Sequence, residues 1–134
     1  METVKTQYKG GYRTQAIHVQ SSSEIITDAP TDNNGKGEAF SPTDLVATAL
    51  TSCMLTLMDM TAHKYDFSVG KVSAKTTKIM AANPRRISGI IIHFDLSDAS
   101  YSEQQRTILE RAAKTCPVAL SIHPDIQLDV QFDY

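Results

Sequence analysis

The chain has 134 residues, of which 41% are hydrophobic and 21% are charged, and its formal net charge is −2. This length and composition exclude a disordered chain and predict a single domain, residues 1–134, with its own core. The slightly acidic balance argues against a nucleic-acid partner, because phosphate binding needs a clustered basic surface. No signal-peptide pattern is visible, and polar residues interrupt the most apolar run, 45–60, so we expect a cytoplasmic protein without a membrane partner.

The first 28 residues have the pattern of β-strands. Segments 4–8 and 12–19 flank Gly10-Gly11, an arrangement that predicts a hairpin turn, and 24–27 is a shorter candidate strand. The stretch 28–40 is rich in Pro, Asp, Asn and Gly, and we predict a mobile loop there.

A long helix is predicted to follow. Ser41 has the position of an N-cap, Pro42 that of the first helical residue, and Asp44 adds an acidic group to the first turn. Apolar residues then recur at helical spacing, which puts Cys53 in the apolar stripe rather than on the solvent face. The stripe comprises Leu45, Val46, Ala49, Leu50, Cys53, Met54, Leu57 and Met58.

The second half of the chain returns to strands. Residues 67–80 and 87–96 are predicted to pair around a turn at Asn83-Pro84. Alternation in the second of these strands turns one face toward the core. That face comprises Ile90, Ile92, Phe94 and Leu96.

The last third of the chain contains a helix and a strand. A capping box of Ser102 and Gln105 starts a helix over 102–114, and Cys116-Pro117 follows its end, since a residue before proline avoids helical geometry. The order of elements predicts an α+β fold with largely antiparallel sheets. A final strand over 126–132 is predicted to bury Ile126, Leu128, Val130 and Phe132.

The chain contains two cysteines, Cys53 and Cys116. A cytosolic compartment keeps thiols reduced, and C-x-x-C spacing is absent, so the pattern supports neither a permanent disulfide nor a zinc cluster. Cys53 among apolar residues is by itself typical of a small buried hydrophobic group, whereas Cys116 stands at a helix boundary. A peroxidatic pair needs one thiolate that attacks the O–O bond and a second thiol that resolves the sulfenic acid. The two cysteines fit that requirement, although their spacing alone does not demand it.

Two sequence blocks resemble the OsmC/Ohr superfamily, closest to its YhfA-like branch. They are Ser41-Pro42-Thr43-Asp44-Leu45 followed by Cys53, and Cys116-Pro117-Val118-Ala119-Leu120. The resemblance covers nearly the whole chain, and it implies an OsmC-like fold with a long central cysteine-bearing helix, a second helix and an intertwined homodimer. It also implies reduction of organic hydroperoxides in oxidative-stress defence, with Cys53 as the attacking thiol and Cys116 as the resolving thiol. No bound cofactor is expected, and an external dithiol or lipoyl-type reductant would restore the thiols.

The same resemblance implies an arginine from the N-terminal strands and an acid at the start of the cysteine helix. Arg13, just after the glycine turn, matches the arginine. In the Ohr and OsmC branches the acid stands ten residues before the first cysteine, where this chain has Thr43, whereas Asp44 has the spacing of the YhfA-like branch. Asp44 and Cys53 are about 13.5 Å apart along the helix axis, so Asp44 could serve the thiolate only across a subunit interface or after strong bending. The alternative is that Asp44 only caps the helix.

A guanidinium has a clear task beside a cysteine in an apolar pocket. Desolvation raises the pKa of a thiol, and a nearby cation restores the thiolate and polarises the peroxide. Arg85 and Arg86 are rival candidates for this task, and Arg13 is alternatively a solvated strand residue. We expect the hydrophobic tail of the substrate to contact Met54, Leu57 and Met58.

The leading hypothesis is therefore a thiol peroxidase that acts on organic hydroperoxides. The alternative is a non-catalytic dimeric scaffold or small-molecule-binding protein whose cysteines are packing residues. A cysteine hydrolase is a more distant alternative, because His63 is about 15 Å from Cys53 along the same predicted helix. The four histidines have no metal-ligand spacing, so no metal site is predicted.

Overall fold

The computed structural model describes all residues from 1 to 134, and the chain forms two compact units, residues 1–45 and 46–134. The first unit contains β1 (Val4–Gly10), β2 (Arg13–His18) and β3 (Glu24–Asp28), which form an antiparallel sheet in the order β1-β2-β3. Gly10 and Gly11 both have positive φ, 83° and 60°, which is the geometry that glycine adopts at little cost. The predicted hairpin and the third strand are confirmed.

The stretch 28–40 is a loop, as predicted, and it contains a short 3-10 helix (Thr31–Asn33). Backbone bonds hold its two ends together: Asp28 N–H donates to Phe40 O at 3.1 Å, and Gly37 N–H donates to Ala29 O at 3.3 Å. At Gly35 a Cβ would lie 1.7 Å from the carbonyl oxygen of Ala29, so only glycine fits there. The loop thus folds back tightly on the end of β3.

Helix α1 (Pro42–Lys64) begins at the end of the first unit and continues into the second. The second unit adds β4 (Ser73–Ala81), β5 (Arg86–Asp95), α2 (Glu103–Lys114) and β6 (Gln127–Asp133). Strands β4 and β5 pair antiparallel, but β5 and β6 pair parallel, with Ile90 opposite Leu128. The sheets are largely antiparallel, as predicted, and this last pair is the exception. The reason is that α2 intervenes between β5 and β6 and forms the crossover that parallel strands need.

Strand β4 begins at residue 73, six residues later than predicted. Before it, backbone donors are bound by carboxylates rather than by a neighbouring strand: Val69 N–H donates to Asp59 Oδ1 and Lys71 N–H to Asp98 Oδ2, both at 3.2 Å. Gly70 between them has a φ of 69°, which is outside the range of a strand. Hydrogen bonds from the backbone to nearby carboxylates therefore take the place of the strand pairing that the apolar pattern predicted before residue 73.

The core of the second unit lies between α1, α2 and the inner face of β5. Four alternate residues of β5 and its end are fully buried, as predicted: Ile90, Ile92, Phe94 and Leu96. The helices contribute Leu50, Met54, Met58, Leu109 and Ala113, also fully buried. Helix α1 is long and apolar enough to cross a membrane by length and composition, but it is the core helix of a small soluble α+β fold.

The prediction for the last strand is partly wrong. Leu128 is 39% exposed, and Val130 and Phe132 are only half-buried. Strand β6 stands at the edge of its sheet, where only one neighbouring strand covers it. An alternating pattern indicates which residues share a face, but it does not say how completely that face is covered.

Candidate functional site

Cys53 lies in the middle of α1, on a helix face that packs against the core of the second unit. Leu50 and Met54 beside it are fully buried, whereas Cys53 itself is half-buried. Its sulfur is therefore at the margin of the core rather than in its centre. The prediction that Cys53 belongs to the apolar side of the helix agrees with this placement.

Cys116 stands just after α2, where the helix ends at Thr115 and Pro117 starts a new turn. The residue is fully buried. Its carbonyl oxygen accepts the Leu120 N–H at 3.1 Å, and its sulfur accepts the Ala119 N–H at 3.4 Å. Cys116 is therefore held by backbone groups on the side of the following turn.

The fold brings Cys53 and Cys116 close together, since Cys53 packs against the core cluster that contains Cys116, and both are free thiols. Burial raises the pKa of the Cys116 thiol, and the neighbouring Cys53 raises it further, while the backbone N–H groups of Ala119 and Val118 oppose this rise. Cys116 thus favours the protonated form. Two neighbouring reduced cysteines can be oxidised to a disulfide.

Arg13 has a partner that the sequence analysis missed. Its guanidinium donates through Nε to Asp28 Oδ1 at 2.7 Å and through Nη2 to Asp28 Oδ2 at 2.8 Å. The ion pair lowers the pKa of Asp28 and raises that of Arg13. Asp28 is 1% exposed, and it is directly opposite Arg13 in the register of β2 and β3. In the sequence, an acid at the end of a strand has the pattern of a turn residue. Only the register of β2 with β3 could therefore have revealed the Arg13–Asp28 pair.

Asp44 takes part in a reciprocal cap at the start of α1. Its carboxylate accepts the Ser41 N–H at 2.9 Å, and its own N–H donates to Ser41 Oγ at 3.0 Å. Ser41 is 1% exposed. The predicted N-cap is confirmed, and capping was the alternative role given to Asp44. A role of Asp44 at the thiolate stays a prediction.

The three residues predicted to contact the substrate tail all lie on α1. Met54 and Met58 are fully buried, and Leu57 is half-buried against the same core. Their contact with a substrate stays a prediction. Of the rival arginines, Arg86 donates to the carbonyl oxygens of Ala82 and Pro84 in its own turn.

The histidines and acids form no cluster of metal-ligand type. His63 lies 3.4 Å from Asp59 on the outer part of α1, and His123 lies 3.8 Å from Asp125. These pairs are largely exposed, and neither contains a cysteine.

The sequence model of the OsmC-like protein family matches residues 35–131, which include Asp44, Cys53 and Cys116. The chain belongs to the OsmC-like family. Arg13 and Asp28 precede the matched range. The matched range therefore contains both cysteine blocks and leaves out the ion pair in the N-terminal strands.

Solved structures support the OsmC-like fold over the full length. A Psychrobacter arcticus protein, provisionally described as an osmotic stress induced and detoxification response protein, is 50% identical, with 98% of this chain and 96% of that chain covered and a TM-score of 0.93. An organic hydroperoxide resistance protein OsmC from Legionella pneumophila is 17% identical, with 100% and 98% covered and a TM-score of 0.79.

A further similar structure comes from Vibrio cholerae, provisionally described as an organic hydroperoxide resistance protein and carrying captopril in one of its active sites. It is 15% identical, with 99% and 92% covered and a TM-score of 0.77. At such low identity the Legionella and Vibrio structures support the fold alone. No curated protein matches the chain.

Proposed function

We propose that this OsmC-like protein is a thiol-dependent peroxidase that reduces organic hydroperoxides. The observation that carries the proposal is the proximity of Cys53 and Cys116 in the core of the second unit, where Cys53 also raises the pKa of the Cys116 thiol, because a two-cysteine cycle needs both sulfurs at one point. Two further features support it. Cys53 is the more accessible of the two cysteines, as expected of the attacking thiol. Cys116 favours its protonated state, as expected of the resolving thiol, which reacts second.

The first step is attack of the Cys53 thiolate on the O–O bond of the hydroperoxide. A sulfur–oxygen bond forms, the O–O bond breaks, and the leaving alkoxide takes a proton to become an alcohol. Cys53 is then a sulfenic acid, so sulfur has been oxidised by two electrons and the peroxide has been reduced by two.

The second step joins the two cysteines. The Cys116 sulfur attacks the Cys53 sulfenic acid, a disulfide forms, and water leaves with the Cys116 proton and the sulfenic hydroxyl. An external dithiol, of lipoyl or similar type, then reduces the disulfide and becomes oxidised itself. The cycle requires no bound cofactor.

We assign the stabilisation of the Cys53 thiolate to Arg13, acting within a homodimer. Asp44, at the start of α1, is proposed to support the same site across the subunit interface. The hydrophobic tail of the substrate would pack near Met54, Leu57 and Met58. These roles follow from the family resemblance, and a nearby cation favours the thiolate that attacks a peroxide.

The homodimer is supported by the sheet of the first unit. Its large hydrophobic side chains are unusually exposed, and a monomer rarely leaves so many apolar groups in water. We therefore propose a second copy of this chain as the partner, and a reducing cytoplasm as the place where both thiols are restored. The exposed residues are Val4, Tyr8, Tyr12, Ile17, Ile25 and Ile26.

The proposal is tested by counting thiols after addition of one equivalent of cumene hydroperoxide. We expect the wild-type protein to lose both thiols together and form an intramolecular disulfide. The variant C53A should lose turnover completely and keep its remaining thiol, and C116A should leave a sulfenic acid on Cys53 that dimedone traps. Thr107→Ala, which removes an exposed hydroxyl on α2, is the control and should react as the wild type does.

The alternative is a non-catalytic scaffold or small-molecule-binding protein with structural cysteines. Such a protein would keep both thiols, or lose them slowly and independently, and C53A would react like the wild type. Covalent capture of Cys53 by an acyl probe, without any disulfide, would instead favour a hydrolase. Either result would refute the peroxidase proposal.

A further inference from the structure

We infer that Asp28, an acid outside the cysteine helix, is the positioning residue of Arg13. The inference rests on the proposed function, in which Arg13 stabilises the Cys53 thiolate. In this chain the first of the two possible helix positions holds the uncharged Thr43. Asp28 comes instead from the strand next to that of Arg13.

The geometry of the pair fixes the plane of the guanidinium. Both carboxylate oxygens of Asp28 are used, at 2.7 Å from Nε and 2.8 Å from Nη2 of Arg13. Such a two-point contact restricts both the position and the orientation of an arginine, whereas a single ion contact leaves it free to rotate. The Arg13 side chain is 27% exposed, so part of the guanidinium remains accessible to another group.

The carboxylate of Asp28 is itself anchored by the loop that follows it. Asp28 Oδ2 accepts the Glu38 N–H at 3.1 Å, and the Asp28 backbone N–H donates to Phe40 O at 3.1 Å. The close packing of Gly35 on Ala29 allows the loop to return at this point. Arg13 is thus oriented by a buried acid, and the acid is oriented by the backbone.

The other acids near these residues have different geometry. The Glu38 carboxylate lies 3.7 Å from Arg13 Nη2 and its side chain is 66% exposed, so water and salt screen it. The Asp44 carboxylate accepts the Ser41 N–H within the helix cap. Lys36 is the further charged group that acts on Asp28. Asp28 is the acid that makes the two-point contact with Arg13 described above.

Two roles of Asp28, orientation of Arg13 and neutralisation of its charge, predict opposite effects of removing the Asp28 charge on the formation of the Cys53 thiolate. The inference is therefore testable. If Asp28 orients Arg13, its loss should displace the cation and make the Cys53 thiolate harder to form. If Asp28 only neutralises Arg13, its loss should leave a stronger net cation and make the thiolate easier to form. The direction of the change therefore distinguishes orientation from charge compensation.

The experiment measures the pH dependence of iodoacetamide alkylation at Cys53, by peptide mass spectrometry on the full-length chain. For Asp28→Asn we expect the alkylation midpoint to rise by about one pH unit. Oxidation of Cys53 by cumene hydroperoxide at pH 7 should slow by about tenfold, the rate equivalent of that shift. Glu38→Gln is the matched control, because it removes a nearby carboxylate but keeps the two-point contact, and it should stay within about twofold of the wild type.

Arg13→Lys is the second variant, because lysine keeps the charge but cannot make the two-point contact with the Asp28 carboxylate. It should reproduce the rise in the midpoint, and Asp28→Glu should restore part of the wild-type rate. Circular dichroism establishes that each variant is folded. If Asp28→Asn does not fold, the Arg13→Lys result decides alone.

An unchanged or lower midpoint in folded Asp28→Asn, or in Arg13→Lys, would overturn the inference. Failure of the proposed function would give a different result, because the wild-type protein would then not consume hydroperoxide at all. Alkylation needs no peroxide, so the role of Asp28 can be judged in either case. If C53A abolishes turnover but Arg13→Ala does not shift the alkylation midpoint of Cys53, the peroxidase proposal is retained and the role of Asp28 is rejected.

Discussion

The two compact units of the chain bury different kinds of residue. In residues 46–134 the buried set is almost entirely hydrophobic, and Ile90, Ile92 and Phe94 are fully removed from water. In residues 1–45 the buried residues are Thr27, Asp28 and Ser41, all polar, while the large apolar side chains are exposed. One unit therefore depends on apolar burial and the other on hydrogen bonds and an ion pair.

This difference indicates where each unit can tolerate change. Apolar burial is non-directional, and a side chain there is replaceable by another of similar volume. A buried carboxylate needs its partner at a defined distance and angle, since an unpaired charge away from water is costly. The first unit is thus the one in which a single conservative substitution can alter the position of a functional group.

The largest expected effect tests the apolar half of this comparison. Ile92→Ala in β5 should lower the free energy of unfolding by about 2–5 kcal/mol, because it opens a cavity in a fully buried core. Ile26→Ala in β3 removes the same atoms from a residue that is 43% exposed, and it should cost about 1 kcal/mol or less. Urea unfolding at low protein concentration measures both. Equal losses in the dissociated monomer would contradict the comparison, whereas equal losses in the proposed dimer would mean that the second copy covers the sheet of the first unit.

An intermediate effect is expected at the two helix caps. Ser41→Ala and Ser102→Ala each remove a side-chain acceptor for a helix N–H, which costs about 1 kcal/mol. Ser41 is 1% exposed and Ser102 is exposed, so the first substitution should be the more destabilising, by up to about 2 kcal/mol. Thermal unfolding provides the measurement. Ser102→Asp retains a cap and serves as the control; a loss there as large as in Ser102→Ala would argue against the capping explanation.

The smallest expected effect is the acid sensitivity of the ion pair. The pKa of Asp28 is lowered from its ordinary value of 3.8 by Arg13, so the pair contributes stability above that value and loses it as the pH falls through the lowered pKa. The wild type should therefore exceed Asp28→Asn in stability at neutral pH, and the difference should shrink below about pH 4.

Asp95 provides a matched comparison for this acid effect. The Ser97 hydroxyl and N–H lower its pKa in the second unit, with a smaller contribution from the charge of Lys75 and without an arginine at the carboxylate. Asp95→Asn should show the same sign with a smaller amplitude, because neutral donors stabilise a carboxylate less than a cation does. Urea unfolding from pH 7 to pH 2 gives both curves. A gap between wild type and Asp28→Asn that widens in acid would refute the assignment.

Local patterns predicted most of the elements. The cap of α1 at Ser41, the capping box of Ser102 and the inner face of β5 all depend on neighbours within a few residues, and all are confirmed. The parallel pairing of β6 was missed because strand direction depends on a crossover through α2 rather than on the residues of the strand.

The candidate site was predictable to a similar degree. The proximity of Cys53 and Cys116 could be anticipated from the family resemblance, because the two blocks carry the cysteines in a characteristic order. The partner of Arg13 could not, because it depends on the register of β2 with β3, in which one residue of slip would turn Asp28 to the other face.

The packing of Cys53 against the cluster that contains Cys116 brings the middle of α1 close to the segment just beyond α2. If the two sulfur atoms become covalently joined, the bond closes a ring of about sixty residues that contains β4, β5 and α2. The unfolded chain would then have fewer shapes available to it, and the oxidised protein should resist denaturant better than the reduced one. Oxidation would accordingly make the chain harder to unfold, and this added stability would persist until a reductant opens the ring.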